Sequence, residues 1–169
     1  MLRALRFAAR LSFRIDGETA AAIHAARTRL RAVAPERLHK ELSGILCGRQ
    51  AAALLEEFSD VLFELIPELA PCQGFRQYNP HHTRDVWTHT LAVVDGVPPE
   101  EPLRLAALLH DAGKPATFFF DKNLVGHFYG HPAAGAAVTE EVLRRLRYDR
   151  ATAEFVTQLV AVHDRPIPD

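Results

Sequence analysis

The sequence predicts an all-α protein, with a helical module over residues 1–70 and a second helical bundle over residues 80–169 that carries one short β-hairpin. Three observations predict this. Apolar residues recur at helical spacing through most of the chain, and proline and glycine gather at the breaks between those stretches. Only residues 117–129 have the aromatic and β-branched density of strands. At 169 residues, 48% hydrophobic and 24% charged, the chain can bury a substantial core.

The elements follow in order. Leu2, Leu5, Phe7, Ala9, Leu11 and Phe13 alternate with Arg3, Arg6, Arg10 and Arg14, which predicts a helix with one buried face and an arginine-studded flank. Asp16-Gly17 breaks it, and Asp16 or Gly17 is a plausible N-cap for a second helix from Glu18 to Val33. Pro35 suits the first turn of a third helix, Glu36 to Leu46. A fourth is expected from about Gln50 to Leu65, ending before Pro67. Residues 66–84 hold Pro67, Pro71, Gly74, Asn79 and Pro80, the expected boundary between two modules. A helix from about Asp85 to Val94 and one from about Glu101 to Asp111 come next, the latter ended by Gly113 and Pro115. Two aromatic runs around Asp121-Lys122-Asn123 read as the hairpin, and helices over Pro132–Leu146 and Ala151–His163 complete the chain.

Net charge is −1 overall but uneven: residues 1–50 hold ten Lys/Arg against four Asp/Glu, and residues 51–169 hold ten against seventeen. The N-terminal part alone could therefore face an anionic polymer, unless its arginines simply form a solvated face. Cys47 and Cys72 have no metal-type spacing and suggest no disulfide framework. No apolar run approaches a membrane span, and the basic N-terminus lacks a signal-peptide core, so the reading is cytoplasmic, with no membrane partner.

The chemistry gathers on histidines. His110 and Asp111 stand together at the end of an apolar helix, and imidazole with carboxylate suits a first-row divalent cation. His89 lies on the preceding helix among Val86, Leu91 and Val93; His131 begins the helix after the hairpin; His163 and Asp164 close the last helix. A buried imidazole needs a partner, and one shared ion would satisfy several. For His24, His39 and His81 a capping or hydrogen-bonded core role is expected instead. Lys114 lies one turn beyond His110, where it complements the dipole of that helix end.

The pattern H…HD…HD at 89, 110–111 and 163–164 resembles the HD superfamily of metal-dependent phosphohydrolases. More narrowly, DVWTHTLAVVD (85–95), LAALLHDAGKP (105–115), GHFYGHPAAGAA (126–137) and AVHD (161–164) resemble the HD domain of bacterial tRNA nucleotidyltransferase/poly(A) polymerase proteins. LRALRFAARLSFRID (2–16) and APERLHKEL (34–42) are similar to the helical neck of those enzymes. The resemblance implies a neck-like region at 1–70 and an HD domain at 80–169. It implies a divalent metal (Mn, Fe, Ni, Co, Zn or Mg) held by His89, His110 and Asp111, with Asp164 as last ligand. His131 and His163 would complete a second metal site or contact the phosphate, and Lys114 and Asp111 would be catalytic. The substrates implied are phosphomonoesters or 2′,3′-cyclic phosphodiesters, including nucleotides, with tRNA as a partner contacted by Arg3, Arg6 and Arg10. The family's nucleotidyl-transfer head and C-terminal tRNA-gripping region are missing from the sequence. It is expected to start just after the head, to end at a cut, and not to add CCA. The competing reading is a non-catalytic RNA-binding or structural fragment, in which Arg3, Arg6, Arg10, Arg14, Arg27, Arg29 and Arg31 hold a nucleic-acid backbone and the helical body is a scaffold. The enzyme reading requires a cleft with an open coordination site; the binding reading requires the arginines on one exposed face.

Overall fold

The computed structural model describes residues 1–78 and 84–165. His81, expected to play a capping or hydrogen-bonded core role, lies outside the described residues. The fold is all-α with one two-stranded sheet.

In the N-terminal part, α1 (Leu2–Leu11) buries Leu2, Leu5, Ala8 and Ala9 and stops where Ser12 turns left-handed at φ 56°. Phe13, expected within this helix, therefore lies beyond it and is exposed. The Asp16 carboxylate accepts the Thr19 N–H at 3.0 Å and caps α2 (Gly17–Ala26). The helix expected to run to Val33 instead tightens into a 3₁₀ segment, Arg27–Ala32, from which Arg27 and Arg31 reach Asp60 and Glu64 at 3.5 and 2.8 Å. Pro35 does open α3 (Pro35–Leu46). The helix expected over 50–65 is two, α4 (Ala51–Glu57) and α5 (Ser59–Leu65). The break falls at Phe58, whose backbone leaves the helical region at φ −108°, ψ 34° while its ring is fully buried. Burial of that ring outweighs helical continuity. A 3₁₀ segment, Pro67–Cys72, follows.

In the C-terminal part, Asp85 caps α6 (Val86–Gly96) by accepting from Thr88, and α7 (Glu101–Leu109) is the hub. It touches α3 and α6, and also α9 (His131–Arg145) and α10 (Arg150–Val162). That explains why Leu105, Leu108 and Leu109 are all inaccessible, each burial favourable by about 2 kcal/mol in transfer free energy. The helix ends two residues earlier than expected. His110 to Gly113 form a turn, and Pro115, expected to help end the helix, instead lies in the first turn of a short one, α8 (Lys114–Thr117). The sheet pairs β1 (Phe119–Phe120) with β2 (Gly126–His127), antiparallel, with Phe119 opposite His127.

One hydrophobic cluster runs from Leu2 to Val160. Polar contacts tie its two parts: the His39 ring to the Leu146 carbonyl at 3.1 Å, Ser43 to the Tyr148 hydroxyl at 2.9 Å, and Arg145 to Glu68 at 2.6 Å. No helix among the described residues is long and apolar enough to cross a membrane.

Candidate metal centre

Asp111 is the focus of the site. It is 1% exposed, in the turn after α7, and four imidazoles converge on its carboxylate. Oδ2 lies 3.1 Å from His110 Nε2 and 3.7 Å from His89 Nε2; Oδ1 lies 3.5 Å from His131 Nε2 and 3.6 Å from His163 Nε2. Three of these rings are fixed in the same way. Nδ1 of His110, His131 and His163 donates to the carbonyl three residues earlier, of Ala107, Phe128 and Val160, at 2.8, 2.9 and 2.7 Å. Donation through Nδ1 leaves the Nε2 lone pair free in a neutral ring, the outer-shell pattern of ligating histidines.

The donor set fits a cation on two counts. His131 Nε2 and His163 Nε2 are 3.2 Å apart, close enough to share one proton or one cation. Asp111 Oδ2 is buried and receives no hydrogen bond of normal direction, although Lys114 Nζ approaches to 2.8 Å as an ion pair. Two sets of donor atoms lie within 4.8 Å of one another, His89–His110–Asp111 and Asp111–His131–His163. Nitrogen and oxygen donors together suit first-row divalent ions.

The electrostatics agree with a permanent anion at the centre. Burial alone would raise the Asp111 carboxyl, but His110, His163 and Lys114 outweigh it and hold the group well below the usual carboxylate range. Burial lowers His131 towards the neutral, ligating form. At His163 burial works the same way, yet Asp111 dominates and raises it.

The other expected residues fall as follows. Lys114 is buried, donates to Gln77 Oε1 at 2.9 Å, and sits 5.3 Å from the Phe128 ring centroid. Asp164 is exposed and lines the same cleft, but belongs to neither donor set. His24 pairs with Asp60 at 2.8 Å and His39 with a carbonyl, both remote from the centre. Gln77, 2% exposed, was not anticipated; a lone glutamine beside Gly74 and Tyr78 carries no motif. The centre opens into a cleft of about 340 Å³ bordered by Gly126 to Pro132.

Of the arginines expected to meet RNA, Arg3 and Arg6 line a groove of about 530 Å³ together with Arg29, Arg37 and Lys40. Arg6 is held there by Glu41 at 2.7 Å. Arg10 is exposed at the end of α1 and is not among the residues that line the groove.

A helical bundle whose His-Asp turn gathers further histidines defines a class. Residues 81–169 match the HD domain family, and the chain belongs to it. Residues 12–72 match a second family, described as the probable RNA and SrmB-binding site of polymerase A. Among particular proteins, it is 38% identical over 183 residues to the CC-adding tRNA nucleotidyltransferase of Thermus thermophilus, covering 99% of this chain and 42% of that protein. It is 34% identical over 179 residues to the A-adding tRNA nucleotidyltransferase of Deinococcus radiodurans, covering 98% and 41%. It is also 35% identical over 172 residues to the multifunctional CCA protein of Ralstonia nicotianae, covering 96% and 39%. The chain thus spans about two fifths of the length of these curated relatives.

Proposed function

We propose that this chain is a metal-dependent phosphohydrolase acting on phosphomonoesters or 2′,3′-cyclic phosphodiesters of nucleotides. The observation that carries the reading is the convergence of four Nε2 atoms on the Asp111 carboxylate, three of them locked by carbonyls through Nδ1. His89, His110 and Asp111 would hold the cation; His131 and His163 would complete a second position or meet the phosphate; Asp164, at the rim, would join only from the open side. The chemistry a divalent cation supplies there is polarisation of a phosphoryl oxygen and activation of water at neutral pH. Lys114 balances the Asp111 charge and presents an ammonium at the cleft, where a phosphate dianion would be neutralised. Buried Gln77 holds that ammonium in place.

The reading keeps a neck-like region at 1–70 and an HD domain at 80–169, supported by the two family matches at 12–72 and 81–169. It places the protein in the cytoplasm, which the free thiols Cys47 and Cys72 suit. The test is metal content by elemental analysis together with hydrolysis of adenosine 2′,3′-cyclic phosphate. Wild type should retain a divalent ion and turn over the substrate, and His110→Ala/Asp111→Ala should lose both. Unchanged metal content in that variant would sink the assignment.

A second reading concerns the basic groove beside α1 and α3. Its five cations support RNA contact there, and three of them, Arg29, Arg37 and Lys40, fall within the polymerase A family match at 12–72, tRNA being the partner suggested by the relatives' names. Binding to tRNA should weaken steeply with salt, and Arg3→Ala/Lys40→Ala should flatten the slope by about one to two phosphate contacts. A slope unaffected by both substitutions would place RNA elsewhere.

A further inference from the structure

The β1–β2 hairpin has two unlike faces. With Phe119 opposite His127, strand alternation puts Phe118, Phe120 and Phe128 on one side and Phe119, His127 and Tyr129 on the other. The first face is packed at Phe118 and Phe128: Phe118 meets Phe75 at 5.3 Å and Phe128 at 5.4 Å, and Phe128 is buried, while Phe120 at its edge is 46% exposed and leans on Phe118 and Tyr78. The second is left in solvent, Phe119 43% and Tyr129 73% exposed. Its rings lean on each other instead. His127 stacks on Phe119 at 5.5 Å and on Tyr129 at 5.2 Å, each pair inclined by 27°.

This face is also held in shape. Asp121 Oδ2 lies 3.2 Å from His127 Nε2, while Oδ1 accepts the N–H groups of Asn123 and Val125 that close the turn. The platform adjoins the metal centre, because His127 and Tyr129 line the same cleft as His110, Asp111 and His131. The carbonyl that orients His131 belongs to Phe128, the residue between those two rings. Large exposed apolar rings beside a cleft mark a binding surface rather than a core. Flat rings at the mouth of a phosphate-binding site suit one class of group above others, an unpaired nucleobase.

We propose that Phe119, His127 and Tyr129 form a stacking platform for the nucleobase of the phosphoester whose phosphate is held at the metal centre. Stacking of this kind is tolerant of base identity, since every base has a π-face, so the platform selects nucleotides over base-free phosphoesters and does not read sequence. The inference rests on the phosphohydrolase reading for the position of the phosphate, though not for the stacking itself.

Two measurements in Mn²⁺ buffer separate the two ideas. In the first, 2-aminopurine riboside 2′,3′-cyclic phosphate is titrated with protein. Its fluorescence should be quenched on binding, Phe119→Ala/Tyr129→Ala should weaken binding about tenfold or more, and Phe119→Tyr/Tyr129→Phe should restore it. In the second, KM is compared for adenosine 2′,3′-cyclic phosphate and for methyl riboside 2′,3′-cyclic phosphate. Wild type should prefer the adenosine ester by about tenfold, and the double alanine variant should lose that preference. Absence of turnover in wild type would overturn the hydrolase reading and leave quenching to decide the platform. Unquenched fluorescence, or a preference retained by the double alanine variant, would overturn the platform. So would a dimer that the same variant dissolves, since the face would then be covered by a second copy.

Discussion

At the residue scale, the histidines speak through their neighbours and the glycines through what they exclude. Gly113, in the turn after Asp111, lies so close to the His131 carbonyl and the Gly135 amide that a Cβ there would overlap both. This approach brings the start of α9, and with it His131, onto the His-Asp turn. Gly113→Ala is therefore expected to lower stability by about 2 kcal/mol in a denaturant titration and to weaken metal retention as well. Loss of stability with metal content untouched would show that the two are independent. The His110-Asp111 pair was legible in the sequence because both donors are adjacent and follow an apolar run. Gln77 was not, since its role depends on a lysine 37 positions away. The difference between His163 and Asp164 was also hidden: at the end of α10 one side chain turns inward and its neighbour does not, and that depends on where the last turn points.

At the scale of elements, three helices begin alike. Asp16, Asp85 and Asp149 each accept the N–H of a threonine three residues on, capping α2, α6 and α10. The Asp149 carboxyl is held below its usual value by the Thr152 N–H and hydroxyl. A carboxyl lowered by folding contributes stability that is present above its unfolded pKa and lost as pH falls through the lowered one. The first turn of α10 should thus fray selectively in acid, seen as faster hydrogen exchange at Ala153 and Glu154 than in the middle of α9. Asp149→Asn, which caps without titrating, should flatten that dependence; acid exchange that stays the same in both proteins would discount the cap. Caps, prolines at first turns and apolar spacing made most helices readable in advance. The break at Phe58 and the 3₁₀ segment after Ala26 were not, because no proline or glycine marks them. Each arises from a distant demand, the burial of one ring and the reach of Arg27 and Arg31 to α5.

At the scale of the whole molecule, the charge imbalance seen in the sequence becomes spatial. The basic groove is built from residues 1–41, while the imidazole cluster lies among helices from 86 onward. The all-α class and the hairpin followed from composition and periodicity, which report local preference. The shared core did not, because the bonds from His39, Ser43 and Glu68 to the end of α9 and the residues just after it join positions far apart in the chain.

The three carbonyls that fix the imidazoles belong to three separate pieces of the fold: α7, the segment between β2 and α9, and α10. An ion held by Asp111, His131 and His163 would act as a stitch through those pieces, and linkage makes the effect mutual. Whatever loosens the last helix would release the ion, and chelation would in turn slacken that helix before the hub gives way.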